Sequence, residues 1–314
     1  MSNAPRTTST DVMEELTPAV EKLLNRHLDR VEDWDPAVYV PLSEGRDFWE
    51  HPYEPGDSSL SAELQAALLV NIATEDDLPG YRTELSRKLS EEGPWGEWLR
   101  RWTAEEGRHA IGLRAFSWAT RAVDPTALES HRMQTIQAGY REQPKSGLDT
   151  LVYVTLQELA TRVSHFNLGM AAQPQDAMAM VLLKRIAADE NHHYLFYRSL
   201  VQHSLEIAPS ETVQSIAREV MNFGMPGQDT VPGFRRAAVT IARAGIYNQQ
   251  VHYQQILRPT LREWGVFHRE GLDPEAERAR DELASFLEGL KRRASVEAER
   301  IEARKAAIAG TRGR

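Results

Sequence analysis

The sequence has 314 residues, enough for one large domain or two small ones, and 41% hydrophobic with 26% charged residues is the make-up of a globular chain that can bury a sizeable core. A net charge of -9 argues against a general nucleic-acid surface, and an acidic partner would need a local basic patch. The chain has no cysteine, which excludes disulfides, thiolate metal sites, Cys-ligated iron–sulfur clusters and cysteine nucleophiles; a metal site must use His, Asp and Glu.

Met1 to Thr10 is polar, without the apolar segment of a secretory signal. No apolar run approaches the ~20 residues of a membrane helix, so a cytoplasmic location is expected. Apolar residues recur at three and four and strict alternation is missing, which predicts an all-α protein. A first helix is expected over about 11–28. The stretch 33–59, with Trp34, Pro36, Pro41, Pro52, Pro55 and Gly56, reads as a long ordered loop covering a site or a bundle end. Four long helices follow, at about 60–90, 95–123, 148–172 and 176–207, separated by Glu91-Glu92-Gly93-Pro94, by Asp124-Pro125 and by Gln173-Pro174. A further helix at about 127–141, stopped by Gln143-Pro144, lies between the second and third. Helices over 211–223 and 233–264 come next, the latter expected to kink at Pro259. From Asp273 a charged helix carries a narrow stripe of Leu283, Phe286, Leu287 and Leu290, and beyond Lys291 the chain is expected to fray. This divides the chain into a helical-bundle domain, 1–270, and a charged, helical or partly disordered tail, 271–314.

Two Glu-x-x-His pairs stand out, Glu106 with His109 and Glu190 with His193. Residues three apart share a helix face, so each pair can aim at one point. The bare pattern is weak, since about one such pair is expected by chance and one alone is usually a hydrogen-bonded structural pair. The face matters more. Glu106 and His109 continue the apolar series Trp95, Leu99, Trp102, Leu113 and Phe116, and Glu190 and His193 continue Leu183, Ile186 and Tyr197. A carboxylate in such a stripe is destabilising unless it is paired or binds metal.

Single glutamates occupy the stripes of the other two long helices: Glu75 after Leu64, Leu68 and Ile72, and Glu158 after Leu151 and Val154. Glu75 and Glu106 are 31 residues apart, Glu158 and Glu190 are 32 apart, and each interval is one helical hairpin. An antiparallel return therefore brings each pair to one level. Two hairpins related by a pseudo-two-fold would place four carboxylates and two imidazoles at mid-bundle. Four negative charges balance two ferrous ions, and oxygen donors with imidazole suit Fe or Mn. The pattern is that of the di-iron and di-manganese carboxylate bundles. His165, two turns beyond Glu158, reads as a core group or a neighbour of the ligands, and His192 points about 100° away from the ligand face. His27, His51, His131, His203, His252 and His268 fall outside the constellation and receive no role.

These residues resemble the soluble acyl-[acyl-carrier-protein] desaturases. The resemblance rests on Trp102-Thr103-Ala104-Glu105-Glu106-Gly107-Arg108-His109, on Ala188-Asp189-Glu190-Asn191-His192-His193, on Thr74-Glu75 with Leu78-Pro79 and Tyr81, and on Gln157-Glu158 with Thr161 and Ser164-His165. It covers about Val12 to Trp264 and leaves the tail without a counterpart. It implies a ferritin-like four-helix bundle with additional flanking helices, a homodimer, and insertion of a cis double bond into a saturated fatty acyl chain carried by acyl carrier protein. The family uses O₂ and two electrons, usually from ferredoxin. Carried over, the iron ligands are Glu75, Glu106, His109, Glu158, Glu190 and His193. Thr161 matches a threonine beside the oxygen site, and Trp34, His109 and Asp189 match a proposed electron route. Packing of the aromatic loop explains Trp34 equally well, and Asp189 is also the ordinary partner of a ligating histidine. Iron storage and another di-iron oxygenase or radical protein are the competing readings. The basic residues Arg82, Lys88, Arg100, Arg101, Arg114, Arg121 and Lys184 are too dispersed to choose a carrier-protein surface.

Overall fold

Proline and glycine set most of the helix ends. The computed structural model describes residues 9–140 and 146–312. Helix α1 (Ser9–Glu15) stops before Thr17-Pro18, and α2 (Thr17–Leu28) restarts with Pro18 in its first turn, where a missing N–H costs nothing. The single helix expected over 11–28 is therefore two. The same physics corrects the helix expected over 60–90. Pro79 ends the ladder after α3 (Ala62–Glu75) and opens α4 (Leu78–Lys88). Next come α5 (Gly93–Ala119), α6 (Pro125–Ala138), α7 (Gly147–Ala172), α8 (Ala177–Ile207) and α9 (Pro209–Met221). Gln143-Pro144, expected to stop α6, lies outside the described residues.

The helix expected over 233–264 also divides, and at a different place. Gly245, in the left-handed region at φ 79°, ends α10 (Phe234–Ala244). A short α11 (Gln249–Val251) then runs through a π-helical stretch, His252–Leu257, into α12 (Arg258–Trp264). Pro259 sits in the first turn after that stretch, where the wider π-turn accommodates its missing N–H. The last helix, α13 (Pro274–Arg312), is continuous. It lies along α9 and buries Ala276, Leu283, Leu290 and Ala294.

Four helices close a ring, α3 against α5, α5 against α8, α8 against α7 and α7 against α3. Capping fixes the start of two of them. Ser146 and Asp149 form a reciprocal capping box at α7, and Asp176 accepts from Met178 and Ala179 at α8. Gly169 lets α7 and α8 approach closely, since a Cβ there would sit 2.9 Å from Met180 Sδ. The apolar interior forms two clusters. One gathers Trp95, Trp98, Leu99 and Trp102 with the middle of α7 and the C-terminal half of α8. The other gathers α3 with Leu113 and Phe116 and the start of α8. On α5 and α8 the Glu-x-x-His pairs occupy the gap between the two clusters.

The N-terminal turn of α5 is crowded in a way only glycine satisfies. A Cβ on Gly96 would lie 1.9 Å from the Glu91 carbonyl oxygen. Gly96→Ala should therefore shift the Glu91–Pro94 turn and lower stability by about 1–3 kcal/mol in urea unfolding. An unchanged midpoint would mean that the turn yields freely.

Candidate metal centre

The antiparallel return from α7 to α8 brings Glu158 and Glu190 to one level, and that from α3 to α5 does the same for Glu75 and Glu106. Two groups of donor atoms result, each with its atoms within 4.8 Å of one another: Glu75, Glu106, His109 and Glu190, and Glu106, Glu158, Glu190 and His193. Glu106 and Glu190 belong to both. To these two shared carboxylates each group adds one further carboxylate and one imidazole of its own.

Distances support the pairing. His109 Nδ1 lies 3.3 Å from Glu106 Oε2, 3.4 Å from Glu190 Oε1 and 3.7 Å from Glu75 Oε2. His193 Nδ1 lies 2.9 Å from Glu106 Oε1, 3.5 Å from Glu158 Oε2 and 3.9 Å from Glu190 Oε2. All six side chains are buried. Glu106 Oε1, Glu158 Oε2, both Glu190 oxygens and Nδ1 of both histidines have no hydrogen-bond partner. Buried polar atoms are rarely left so, and here they face one another across a small space. Four carboxylates and two imidazole nitrogens fit a pair of divalent ions that prefer oxygen and nitrogen donors.

Neighbouring side chains orient the donors in two related halves. His193 Nε2 is 2.8 Å from Glu105 Oε2, which leaves Nδ1 as the lone-pair donor. Glu105 also contacts His27 Nε2 at 3.0 Å and accepts from Arg101 at 2.5 Å. In the other half, His109 Nε2 lies 3.5 Å from Asp189 Oδ2, which accepts from the Trp34 indole at 2.6 Å. Arg185 also binds Asp189, and Arg108 and Arg185 sit over the Trp34 ring. The outer carboxylates match by position: each directly precedes a glutamate shared by both groups and contacts the histidine of the facing helix. The remaining glutamates are held too. Trp102 donates to Glu158 at 3.0 Å. His165 lies 2.9 Å from Glu75 through Nε2 and takes the Asn71 amide at its Nδ1.

Sequence reasoning overlooked Glu105 and gave His27 no role. The signal for Glu105 was present: if Asp189 before Glu190 partners a histidine, the internal repeat assigns the same task to the residue before Glu106. Nothing local points to His27, which reaches the site from α2. His192 packs against the His27 ring, centroids 6.0 Å apart, away from the donors.

Protonation follows the crowding. Burial alone would lower His109 and His193. The charge of Glu106 beside His109, and the contacts of Glu105 and Glu106 with His193, instead hold both rings well above the usual imidazole range. Burial raises Glu190 well above the carboxylate range, helped by the charge of Glu106, and raises Glu158. Burial would also raise Asp189, but His109 and Trp34 hold it at about 2. The metal-free cluster thus stores protons that metal would displace. Glu105→Gln keeps the shape and removes the charge that stabilises the His193 ring. It should weaken iron binding about 10–100-fold in an anaerobic Fe(II) titration; wild-type affinity would dismiss Glu105 as a support.

A cavity of about 140 Å³ reaches the donors from one side. Glu75, Glu106 and Thr161 are in its wall, with Val70, Leu85, Val154, Phe234 and Ile241 supplying apolar lining. Thr161 Oγ1 donates to the Gln157 carbonyl and accepts from the Gln157 amide.

The chain is similar to known proteins over most of its length. The family described as Fatty acid desaturase matches residues 8–310, a range that takes in all but the last two residues of α13 and so extends past the stretch carrying the motifs. DesA1 of Mycobacterium tuberculosis, named as an acyl-[acyl-carrier-protein] desaturase, is 39% identical over 295 residues, covering 90% of this chain and 86% of that protein. The stearoyl-[acyl-carrier-protein] 9-desaturase 4 of Arabidopsis thaliana chloroplasts is 32% identical, over 87% of this chain and 72% of its own. The X-ray structure of DesA2 from M. tuberculosis superposes with a TM-score of 0.68 at 30% identity, covering 85% of this chain and 98% of that one.

Proposed function

Since the chain belongs to the fatty acid desaturase family, we propose that it is an acyl-[acyl-carrier-protein] desaturase working through a pair of iron ions held by Glu75, Glu106, His109, Glu158, Glu190 and His193. The observation that carries the metal assignment is the convergence of these six buried side chains from four helices, five of them with donor atoms that have no hydrogen-bond partner. The balanced reaction converts a saturated acyl chain, O₂, two electrons and two protons into a cis-alkenoyl chain and two water molecules. Bound iron supplies the reaction of O₂ with an unactivated C–H bond, which acid–base side chains cannot perform.

The protein supplies position, dryness and protons. The apolar lining near Val154 and Ile241 removes water from the acyl chain, and the depth of the chain in the cavity selects the carbons that face Glu75 and Glu106. Thr161, in the same wall, has a hydroxyl that can pass a proton within the cavity. Trp34 and Asp189 link the outer side of the His109 ring to the loop before α3, a short path for electrons from ferredoxin or a similar donor. Iron storage is the less favoured reading, because an apolar cavity beside the donors serves an acyl chain and does nothing for a mineral.

A homodimer is part of the proposal, with exposed Ile111 and Trp118 on α5 and Val181 on α8 available for contact. No helix among the described residues is long and apolar enough to cross a membrane, and a cytoplasmic location is proposed with the rest. The decisive test is turnover of acyl-[acyl-carrier-protein] by iron-loaded protein with ferredoxin, its reductase and O₂. Mass spectrometry should find product two mass units lighter, with fragmentation locating one double bond. Substrates of every chain length recovered saturated would overturn the reading.

A further inference from the structure

On a chain of net charge -9, one region runs against the average. Helix α10 carries Arg235, Arg236 and Arg243 and no carboxylate. A groove of about 1140 Å³ separates it from the C-terminal part of α13; Arg243 lines the α10 side, and Arg292, Arg293 and Arg300 line the α13 side. Glu63 and Glu297 also line the groove, so basic groups prevail there by four to two. None of the six arginines forms an ion pair with a carboxylate among the described residues, although other arginines of this chain commonly do. The floor is apolar: Val239 and Val296 are 49% and 46% exposed, and Ile301 adjoins them.

The groove also has a position that matters. Ala238 of α10 lines both this groove and the cavity that reaches Glu75 and Glu106. Helix α10 faces both, with Phe234 and Ile241 lining the cavity and Val239 and Arg243 lining the groove. A basic rim around an apolar floor is the complement of an acidic amphipathic helix. Arginine forks also suit the phosphodiester of a carrier's prosthetic arm.

We infer that the groove between α10 and α13 is the docking surface for the acyl carrier protein, an acidic helix of which lies along it while the acyl chain enters the adjacent cavity. This rests on the desaturase reading and names where its macromolecular substrate binds. The α10 and α13 arginines are about fifty residues apart in sequence, and only the fold makes them one patch. The inference also gives α13 a task that its narrow apolar stripe does not explain.

The test uses the full-length protein and the double variant R243E/R292E, with R26E/R30E, in the last turn of α2 and just beyond it, as a control that changes net charge equally. Binding of fluorescently labelled holo carrier protein is followed by anisotropy at low and high salt, and desaturation of the acylated form is followed in parallel. For R243E/R292E, Kd and KM should rise at least about tenfold at low salt, kcat should stay within about twofold, and the difference should shrink as salt screens the charges. The control should bind like wild type. Equal weakening in both doubles would mean that the overall field rather than the groove binds the partner, and unchanged binding by R243E/R292E would discard the groove outright. Light scattering covers the remaining occupant: if R243E/R292E splits an oligomer that wild type forms, the groove is an interface between copies and the inference fails. A wild-type protein that neither binds nor turns over the acylated carrier would instead strike the desaturase reading itself.

Discussion

Glu106→Gln should abolish desaturation and strip both metal positions, whereas Glu75→Gln should strip mainly one. The difference follows from sharing. Glu106 presents one oxygen 2.9 Å from His193 Nδ1 and the other 3.3 Å from His109 Nδ1, so it belongs to both donor groups; Glu75 belongs to one. An amide keeps the volume of the side chain, which protects the packing between the two apolar clusters. It loses one acceptor and the negative charge, and three carboxylates no longer balance two divalent ions. Turnover should fall at least about a thousandfold, which is about 4 kcal/mol of transition-state stabilisation. Iron per chain, measured by plasma spectrometry after anaerobic loading, should fall towards zero for Glu106→Gln and towards one for Glu75→Gln. A Glu106→Gln protein that holds two irons and turns over within tenfold of wild type would remove Glu106 from the bridge.

That these six side chains converge is legible in the sequence because helix geometry is rigid. A residue's position in a three-and-four series fixes its face, and the number of residues to the turn fixes its level. Glu158 and Glu190 needed no information beyond those two counts. Breaks were legible only where the chain could not continue. Pro174 marks a visible break, whereas Pro79 does not, because the apolar series resumes at once on its far side. Pro259 is the stronger breaker by sequence, yet Gly245 ends the helix and the proline rides behind a π-turn. His27 reaches Glu105 across 78 residues, and Arg243 faces Arg292 only after α13 has folded back along α9. Such contacts depend on how helices pack, and no local spacing encodes them.

Metal-free and metal-loaded protein should respond to pH in opposite directions. In the metal-free fold Glu158, Glu190, His109 and His193 all have raised pKa values, the carboxyls chiefly through burial and the rings through the acids around them. Each holds a proton that the unfolded chain would release, above about pH 4.3 for Glu and about 6.5 for His. Stability from these groups is complete below the unfolded values and is lost as pH rises through the folded ones. Glu105, Glu106 and Asp189 are lowered, so their contribution is lost only in acid, below the ordinary carboxylate range. The metal-free protein should therefore weaken from about pH 6 towards 8. Metal needs the lone pairs that those protons occupy, so its affinity rises over the same interval. At free metal a thousandfold above Kd the loaded form gains about 4 kcal/mol, or roughly 6 °C in Tm for a chain of this size. Calorimetry with chelator and with anaerobic Fe(II) or Mn(II) reads both curves, and their difference cancels titrating groups that do not sense the metal. That difference should widen steadily from pH 6 to 8. A constant or narrowing gap would mean that metal displaces no protons from these four side chains, and the assignment of His109 and His193 as donors through Nδ1 would fall with it.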